Sequence, residues 1–169
     1  MQTRTQETYL KDIYDFLEPE ILVVCPKCHR KASIKTGKFS VAVFSAEDLK
    51  LVCTDCGYNK KLSEKAKLFS NASTDVNCST GRSFTVGNGK DPFFDCELWL
   101  TKPCAENNLW AYNYEHLDFL YDHVRATLRE RNAEAPRNRS LGSRLPKWMT
   151  SRKNRDSLLK CIADLKERQ

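Results

Sequence analysis

Apolar residues recur three or four positions apart in three stretches of the chain, as expected for amphipathic helices. The first stretch covers residues 5–18 and is ended by a proline. The second covers residues 114 to about 131 and follows Asn113, a favourable N-cap residue. The third covers residues 152 to about 168 and follows Ser151, which can also act as a cap. We therefore predict three helices, of which the first needs a partner surface in this chain or another.

Shorter apolar runs predict strands between these helices. Residues 21–24 and 49–52 are mostly apolar, and each run leads directly into a pair of cysteines. Residues 34–44 contain alternating apolar side chains, which is typical of a half-buried strand. Residues 91–100 alternate in the same way, and residues 109–112 form another short apolar run. The elements together predict an α+β fold in which short N-terminal antiparallel strands join a small sheet and two C-terminal helices.

The composition of the connecting segments divides the chain into three units. Residues 70–89 are rich in Ser, Asn, Thr and Gly, which is typical of a loop or a domain boundary. We predict an N-terminal amphipathic helix at 1–19, a unit with both cysteine pairs at 20–69 and a small α+β unit with basic helices at 90–169. Pro146 can open one short helix within the last unit. The sequence shows no internal repeat.

Two Cys-x-x-Cys pairs carry the strongest chemical signal of the sequence. Cys25 and Cys28 form the first pair, Cys53 and Cys56 form the second, and 24 residues separate the pairs. Zn²⁺ prefers four soft ligands in a tetrahedron, and each pair can supply two of them from one tight turn. The alternatives are four buried cysteines or two disulfides. Four thiolates leave no open coordination position, so we predict a structural Zn²⁺. The unit at 20–69 is therefore predicted to be an N-terminal zinc ribbon.

Composition limits the classes of protein to which this chain can belong. Of its 169 residues, 30% are charged and 40% are hydrophobic, which fits a soluble globular protein. No apolar run approaches the roughly 20 residues that a membrane helix needs, and residues 1–11 lack a secretory signal. Eight cysteines without such a signal indicate reduced thiols and a metal site. We therefore expect a cytoplasmic protein with no membrane partner.

Positive charge is concentrated in the C-terminal part of the chain. Residues 125–169 hold 13 Lys and Arg against 5 Asp and Glu, a net charge of +8, whereas residues 1–124 have a net charge of −2. Such asymmetry suggests a polyanionic partner, although a solvated helix face and a loose loop would also explain it. The residues predicted to contact phosphates are Arg137, Arg139, Arg144, Lys147, Arg152, Lys153 and Arg155.

Two further stretches resemble a known group of proteins. One is Leu109-Trp110-Ala111-Tyr112-Asn113, with His116-Leu117 and Leu128-Arg129-Glu130-Arg131 behind it, and the other is Leu145-Pro146-Lys147-Trp148-Met149 with Asn154-Arg155-Asp156. Together with the cysteine pairs, they resemble the small bacterial TFIIB-type zinc ribbon-containing proteins, from about Val24 onward. The resemblance implies zinc at Cys25, Cys28, Cys53 and Cys56. It implies no catalytic residues and no settled biochemical activity.

Two other groups of residues could carry chemistry. Cys96, Cys104, His116 and His123 could form a second metal site, but their spacing fits no ordinary zinc motif. We interpret Cys96 as a small core residue and the histidines as residues at the rim of helix packing. The cysteines outside the two pairs are predicted to bind no metal and to form no disulfide; they are Cys78, Cys96, Cys104 and Cys161.

An acidic group suggests a metal-dependent nuclease as a further hypothesis. Asp91, Asp95 and Glu97 could converge on metal ions with Lys102 nearby. However, Asp95 and Glu97 alternate with apolar residues, so a solvated strand face is the better explanation of them. We therefore predict that the protein is not an enzyme.

The function predicted from these features is nucleic-acid binding, to DNA or RNA. A surface of the ribbon and the basic C-terminal segment would contact phosphates, with little sequence readout. The ribbon surface would comprise Lys27, His29, Arg30, Lys31, Lys60 and Lys61. The alternative is a protein-interaction adaptor or regulatory subunit that uses the N-terminal helix or the ribbon face. Zinc ribbons serve both purposes, so the fold by itself does not choose between them.

Overall fold

The larger sheet of the protein consists of four short antiparallel strands in the order β1-β2-β3-β4. The computed structural model describes residues 11–36, 49–62, 85–126 and 141–168. The strands of this sheet are β1 (Glu20–Val24), β2 (Lys31–Lys35), β3 (Lys50–Val52) and β4 (Asn59–Lys61). A two-stranded sheet follows, formed by β5 (Leu100–Cys104) and β6 (Asn107–Ala111).

The helices of the described residues lie mainly after the strands. A 3-10 helix at Ile13–Leu17 precedes β1, and a 3-10 turn at Arg152–Asn154 leads into the last helix. The α-helices are α1 (Tyr114–Arg125), α2 (Leu141–Arg144), α3 (Lys147–Thr150) and α4 (Arg155–Lys166). This arrangement is an α+β fold with antiparallel sheets.

The register of the larger sheet separates its two faces. Successive side chains of a strand point to opposite faces, and directly opposite residues share a face. Ile21, Ile34 and Leu51 face each other across three strands and are at most 1% exposed. They form the inner face, which packs into the core. Leu22, Ser33 and Val52 form the next row and lie on the opposite side, which we call the outer face.

Hydrogen bonds to β1 join the larger sheet to the rest of the protein. The backbone N–H of Leu22 donates to the carbonyl oxygen of Tyr112 over 2.7 Å, and its own carbonyl accepts from Trp99 over 3.0 Å. The N–H of Val24 donates to the carbonyl of Glu97 over 2.8 Å. The otherwise exposed edge of β1 is therefore paired, which removes a site for aggregation. Helices α1 and α4 pack against each other, and α4 also packs on β5.

Several predicted elements are confirmed in their type and position. Strands β1 and β3 lead into the two cysteine pairs as predicted, and α1 begins directly after Asn113. Pro146 precedes the short helix α3. The last predicted helix is present but begins as a 3-10 turn, and the side chain of Ser151 makes no capping hydrogen bond. Of the N-terminal helix predicted at 5–18, the described residues form only the 3-10 helix at Ile13–Leu17. Residues 5–10 lie outside the described part.

Three boundaries differ from the prediction. Helix α1 ends at Arg125 and not near 131, because Ala126 adopts an extended conformation with ψ of 125°. The predicted strand at 34–44 begins earlier, at Lys31, and its residues 37–44 lie outside the described part. The predicted strand at 91–100 is wrong apart from its last residue and isolated bridges at Glu97 and Leu98.

A buried carboxylate explains why residues 91–96 turn instead of extending. Asp91 is 2% exposed, and its carboxylate accepts the backbone N–H groups of Phe93 and Phe94, each over 2.8 Å, and that of Cys96. Asp95 adopts a φ of +59°, which is incompatible with a strand. The apolar alternation at this position therefore reflects a turn in which Phe94 and Cys96 are half-buried, because local side-chain bonding outweighed the strand pattern.

Candidate metal centre and basic surfaces

The four cysteines of the two pairs converge in the structure. Their Sγ atoms all lie within 4.8 Å of one another. The Sγ atoms of Cys25 and Cys56 are 3.7 Å apart, and those of Cys28 and Cys53 are 3.6 Å apart. A tetrahedral Zn²⁺ with Zn–S bonds of about 2.3 Å requires sulfur–sulfur separations of about 3.8 Å. The site could therefore hold a metal ion, and its dimensions are consistent with zinc.

The first cysteine pair lies in a tight loop between β1 and β2. The N–H of Cys25 donates to the carbonyl of Arg30 over 2.8 Å, and the N–H of His29 donates to the carbonyl of Cys25 over 2.9 Å. These two bonds close the loop and bring both thiols to the same side. His29 adopts a φ of +59°, which is unusual for a residue with a side chain.

The second pair repeats this geometry between β3 and β4. The N–H of Cys53 donates to the carbonyl of Tyr58 over 2.8 Å, and the N–H of Gly57 donates to the carbonyl of Cys53 over 3.1 Å. Gly57 has a φ of +70° and occupies the position equivalent to His29. The two hairpins are thus structural repeats, although the sequence shows no repeat beyond the cysteine spacing. The position of Gly57 signals a turn, whereas nothing in the sequence marks His29 as its equivalent.

The thiols of the centre influence one another strongly. Burial disfavours the thiolate of Cys25, but the N–H groups of Cys28 and Lys27 donate to it, and its pKa falls to about 7. The N–H of Arg30 favours the thiolate of Cys28, but burial and the neighbouring thiols outweigh it and raise the pKa to about 12. Four thiolates in contact need a compensating cation, so the donor set suits a divalent metal ion.

The structure contradicts the prediction that the remaining cysteines form no disulfide. Cys104, at the end of β5, is joined by a disulfide to Cys161 in α4. The two cysteines are 57 positions apart in the sequence, so only the packing of α4 on β5 brings them together. Cys96 is a free, half-buried thiol whose pKa is raised to about 12 by burial and by Asp91. Cys78 lies outside the described residues.

The two histidines of α1 are core residues, so their predicted position at the rim is wrong. His116 is 2% exposed and its ring stacks on Phe16 with centroids 4.6 Å apart. Its Nδ1 accepts the backbone N–H of Tyr112 over 3.3 Å, and burial lowers its pKa to about 3. His123 is 7% exposed and contacts the backbone of α2 at Gly142. Within the described residues, the cluster of Cys25, Cys28, Cys53 and Cys56 is the only group with metal-site geometry.

The acidic residues of the nuclease hypothesis are used for structure. Burial raises the pKa of Asp91, whose carboxylate holds the turn at 91–96. The carboxylate of Asp95 is exposed and lies 3.4 Å from the Nζ of Lys90. Lys102 pairs with Asp164 of α4 and lowers the pKa of that carboxyl. These groups do not converge on a common point in the described part of the protein.

The basic residues predicted to contact phosphates fall into three sets. Arg137 and Arg139 lie outside the described residues. Arg144 is exposed and its guanidinium lies 4.0 Å from the carboxylate of Asp12. The others surround the corner between α3 and α4; Lys147, Arg152 and Lys153 are exposed, and Arg155 is half-buried. We call these four residues, Lys147, Arg152, Lys153 and Arg155, the helix-corner cluster.

The predicted ribbon surface is divided between two sides of the sheet. Lys27, His29 and Arg30 are exposed on the first cysteine loop. Lys31 and Lys61 lie on the outer face, because the residues directly opposite them on the neighbouring strands lie on that face. Lys60 pairs with Leu51 of the inner face, and its Nζ lies 6.0 Å from the centre of the Phe94 ring. The six residues therefore do not form one continuous surface.

No family model, curated protein or solved structure matches this chain. The resemblance to TFIIB-type zinc ribbon-containing proteins therefore stays a prediction. None of the described helices has both the length and the apolar character needed to cross a membrane.

Proposed function

We propose that this protein is a non-enzymatic zinc-ribbon protein that binds nucleic acid, DNA or RNA, through basic surfaces. The ribbon consists of the two cysteine hairpins, and Zn²⁺ is its structural metal. The four sulfur atoms offer a soft, closed and negatively charged donor set, which favours Zn²⁺ over harder cations such as Mg²⁺. A metal ion held by all four thiolates would cross-link the β1–β2 loop to the β3–β4 loop, so we expect the metal to stabilise the fold.

The zinc proposal is tested by metal content and by removal of one ligand. Elemental analysis of the purified protein should give about one zinc per chain, because one four-thiolate site binds one ion. Cys53→Ser should lose the metal and unfold the β3–β4 hairpin, as seen by loss of strand signals in NMR spectra. Cys96→Ser is the matched control, since this free thiol lies outside the cluster. An absence of zinc after gentle purification, or two zinc ions per chain, would contradict the proposal.

The observation that carries the proposed nucleic-acid binding is the helix-corner cluster. Several other lysines of the protein pair with acids, such as Lys102 with Asp164 and Lys166 with Asp118. In contrast, the side chains of the helix-corner cluster form no ion pair with any described residue. Grouped cations that are not neutralised locally attract a polyanion. Arg152 and Lys153 also precede the N-terminus of α4, where the helix dipole favours anions and makes cations unfavourable.

A salt series tests this function. Binding of single-stranded and duplex oligonucleotides to the wild type should weaken as salt rises, because each phosphate contact releases counterions. Changing Arg152, Lys153 and Arg155 to alanine should reduce the slope of log affinity against log salt by roughly 0.7 to 0.9 for each lost contact. The matched control changes Lys11, Lys90 and Lys102 to alanine, which removes the same charge from lysines that pair with acids.

The two triple variants distinguish specific contacts from net charge. Equal losses of affinity in both would show that only overall charge matters. A wild type that binds no oligonucleotide at low salt would contradict the proposal. The protein-interaction adaptor would then become the leading function.

A further inference from the structure

A row of lysines crosses the outer face of the four-stranded sheet. The register aligns Glu20 of β1 with Lys35 of β2, Lys50 of β3 and Lys61 of β4. Lys35 pairs with Glu20, whereas Lys50 and Lys61 are exposed and form no ion pair with any described residue. Like charges that face each other directly across two strands destabilise a sheet. A bound anion at this position would remove that repulsion.

A groove lies beside the lysine row on the same face. It has a volume of about 410 Å³, within the range of small-ligand sites. Leu22, Ser33 and Val52 are directly opposite one another on neighbouring strands and form its floor. Strands are about 4.8 Å apart, so this floor is about 10 Å long and can accommodate one nucleobase. Leu22 at one end is 7% exposed, so the half-buried side chain of Val52 provides most of the apolar contact for the flat face of a base, and the central serine offers a hydroxyl group.

The walls of the groove add an aromatic ring and further polar groups. Tyr114 lies at the start of α1, and its hydroxyl donates to the carbonyl of Arg168 over 2.6 Å, which holds the ring in place. Thr54 supplies a second hydroxyl at the opposite wall. Hydroxyl groups can donate to or accept from the edge of any base, so the groove is suited to a base without strong preference for its identity.

Charge fixes the orientation of a ligand on this surface. Glu20 and Glu115 lie at the β1 end of the groove, where they pair with Lys35 and Lys11, so this end offers no unpaired cation to a phosphate. Lys50 and Lys61 lie on β3 and β4, and Lys31 borders the groove. A nucleic acid would therefore place a base over β1 to β3 and its phosphates along the lysines.

We propose that the outer face of the sheet binds single-stranded nucleic acid, with a base in the groove and phosphates on Lys50 and Lys61. This inference rests on the proposed function and assigns it a surface separate from the helix-corner cluster. A base can enter the groove only when it is unstacked and unpaired, so a duplex can use the lysines but not the groove. An acidic peptide could bind the lysines but has no flat ring for the groove floor.

The test compares four probes on the zinc-loaded protein. The probes are a 12-mer of dT, a 12-mer of U, a 12-base-pair DNA duplex and a poly-glutamate peptide. The wild type should bind one or both single strands more tightly than the duplex, by roughly the 5- to 150-fold that one stacked base contributes. Lys50→Ala with Lys61→Ala should lower the salt slope for single strands by about 1.4, since two phosphate contacts are lost.

Two further variants separate the groove from the lysines. Ser33→Glu places bulk and negative charge in the centre of the floor and should abolish the preference for single strands. Ser33→Ala removes the hydroxyl without filling the groove and should retain most of the preference. Lys90→Ala with Lys102→Ala is the charge-matched control and should leave the preference unchanged. Zinc content and circular dichroism of every variant show that the fold is retained.

The possible outcomes are distinguishable. If single strands and duplex bind equally and the outer-face variants behave like the control, the inference is wrong but the proposed function stands on the helix-corner cluster. If only poly-glutamate binds, and Lys50 and Lys61 are needed, the surface recognises an acidic protein, and both the inference and the proposed nucleic-acid binding are wrong. If no probe binds at low salt, both proposals are wrong. The dT and U probes decide between DNA and RNA.

Discussion

At the scale of single residues, His29 and Gly57 show how two different side chains serve the same backbone conformation. Each follows the second cysteine of its pair, and each has a positive φ, +59° for His29 and +70° for Gly57. This conformation directs a backbone N–H to the carbonyl of the first cysteine in the same loop. Glycine adopts it without steric cost, whereas a residue with a Cβ atom is strained there.

The two positions should respond in opposite directions to substitution. Gly57→Ala should destabilise the protein by about 1 kcal/mol, because alanine disfavours the left-handed conformation. No atom lies within 4 Å of the position that its Cβ would occupy, so the cost arises from the backbone and not from a clash. His29→Gly should be neutral or slightly stabilising. Urea unfolding of both variants measures these effects, and equal destabilisation by the two would contradict the backbone explanation.

His116 makes the stability of the protein sensitive to acid. Burial lowers its pKa from an ordinary value near 6.5 to about 3 in the folded state. Above pH 6.5 the residue is neutral in both states and has no pH-dependent effect. As pH falls from 6.5 toward 3, the unfolded chain binds a proton that the folded protein excludes, so stability is lost. At pH 5 the loss should be about 2 kcal/mol.

The variant His116→Gln isolates this effect. Glutamine does not titrate, and its carbonyl can accept the N–H of Tyr112 in place of Nδ1. Urea unfolding at pH 7 and pH 5 should therefore show a smaller decrease for the variant than for the wild type. Protonation of the cysteine centre affects both proteins equally and cancels in the comparison. The same decrease in both would show that His116 does not control acid stability.

At the scale of elements, Asn113 connects the N-terminal segment to α1. Its Oδ1 accepts the N–H of His116 over 2.9 Å and caps the helix. Its amide group donates to the carbonyls of Phe16, Glu18 and Glu20 over 2.9 to 3.1 Å. One buried side chain therefore orients α1 relative to the 3-10 helix and β1. The capping role follows from the sequence pattern, but the three carbonyl partners lie more than 90 residues away.

Substitutions at Asn113 can separate these two roles. Asn113→Ala should cost about 3 kcal/mol, because both the cap and the donors to buried carbonyls are lost. Asn113→Ser keeps a capping oxygen but cannot reach the carbonyls, so it should recover only about 1 kcal/mol of that loss. Urea unfolding of the two variants gives both values. A serine variant as stable as the wild type would show that the amide bonds contribute nothing.

At the scale of the whole molecule, a few long-range connections hold the two sheets and the helices together. Strand β1 bonds to Trp99, Tyr112 and Glu97, which ties the four-stranded sheet to the β5–β6 hairpin. The Cys104–Cys161 disulfide ties this hairpin to α4. Arg168 extends the same contact, since its guanidinium lies 4.1 Å from the centre of the Trp99 ring and donates to that residue's carbonyl.

The disulfide should contribute measurably to stability. Its cysteines are 57 residues apart, and a cross-link of that span lowers the entropy of the unfolded chain by an amount equivalent to about 4 kcal/mol. Replacing Cys104 and Cys161 with alanine should therefore destabilise the protein by about 2 to 4 kcal/mol in urea unfolding. A phosphine reductant should lower the stability of the wild type similarly and leave the variant unchanged. Insensitivity of the wild type to reductant would contradict the contribution of the disulfide.

The sequence by itself determined the features that depend on local spacing. Two Cys-x-x-Cys pairs predicted one four-cysteine cluster, because each pair supplies two adjacent ligands from a single turn. Apolar runs predicted β1 and β3, and Asn113 predicted the start of α1, because strand propensity and helix capping act between near neighbours. The class of fold follows from these elements.

Only the tertiary structure decided which distant residues share a surface or a bond. The pairing of Cys104 with Cys161 depends on how α4 packs on β5. The burial of His116 depends on Phe16, which is 100 positions earlier in the chain. The alignment of Lys35, Lys50 and Lys61 depends on the register between strands. Such contacts arise from long-range packing and strand pairing, and neither leaves a periodic signal in the sequence of either partner.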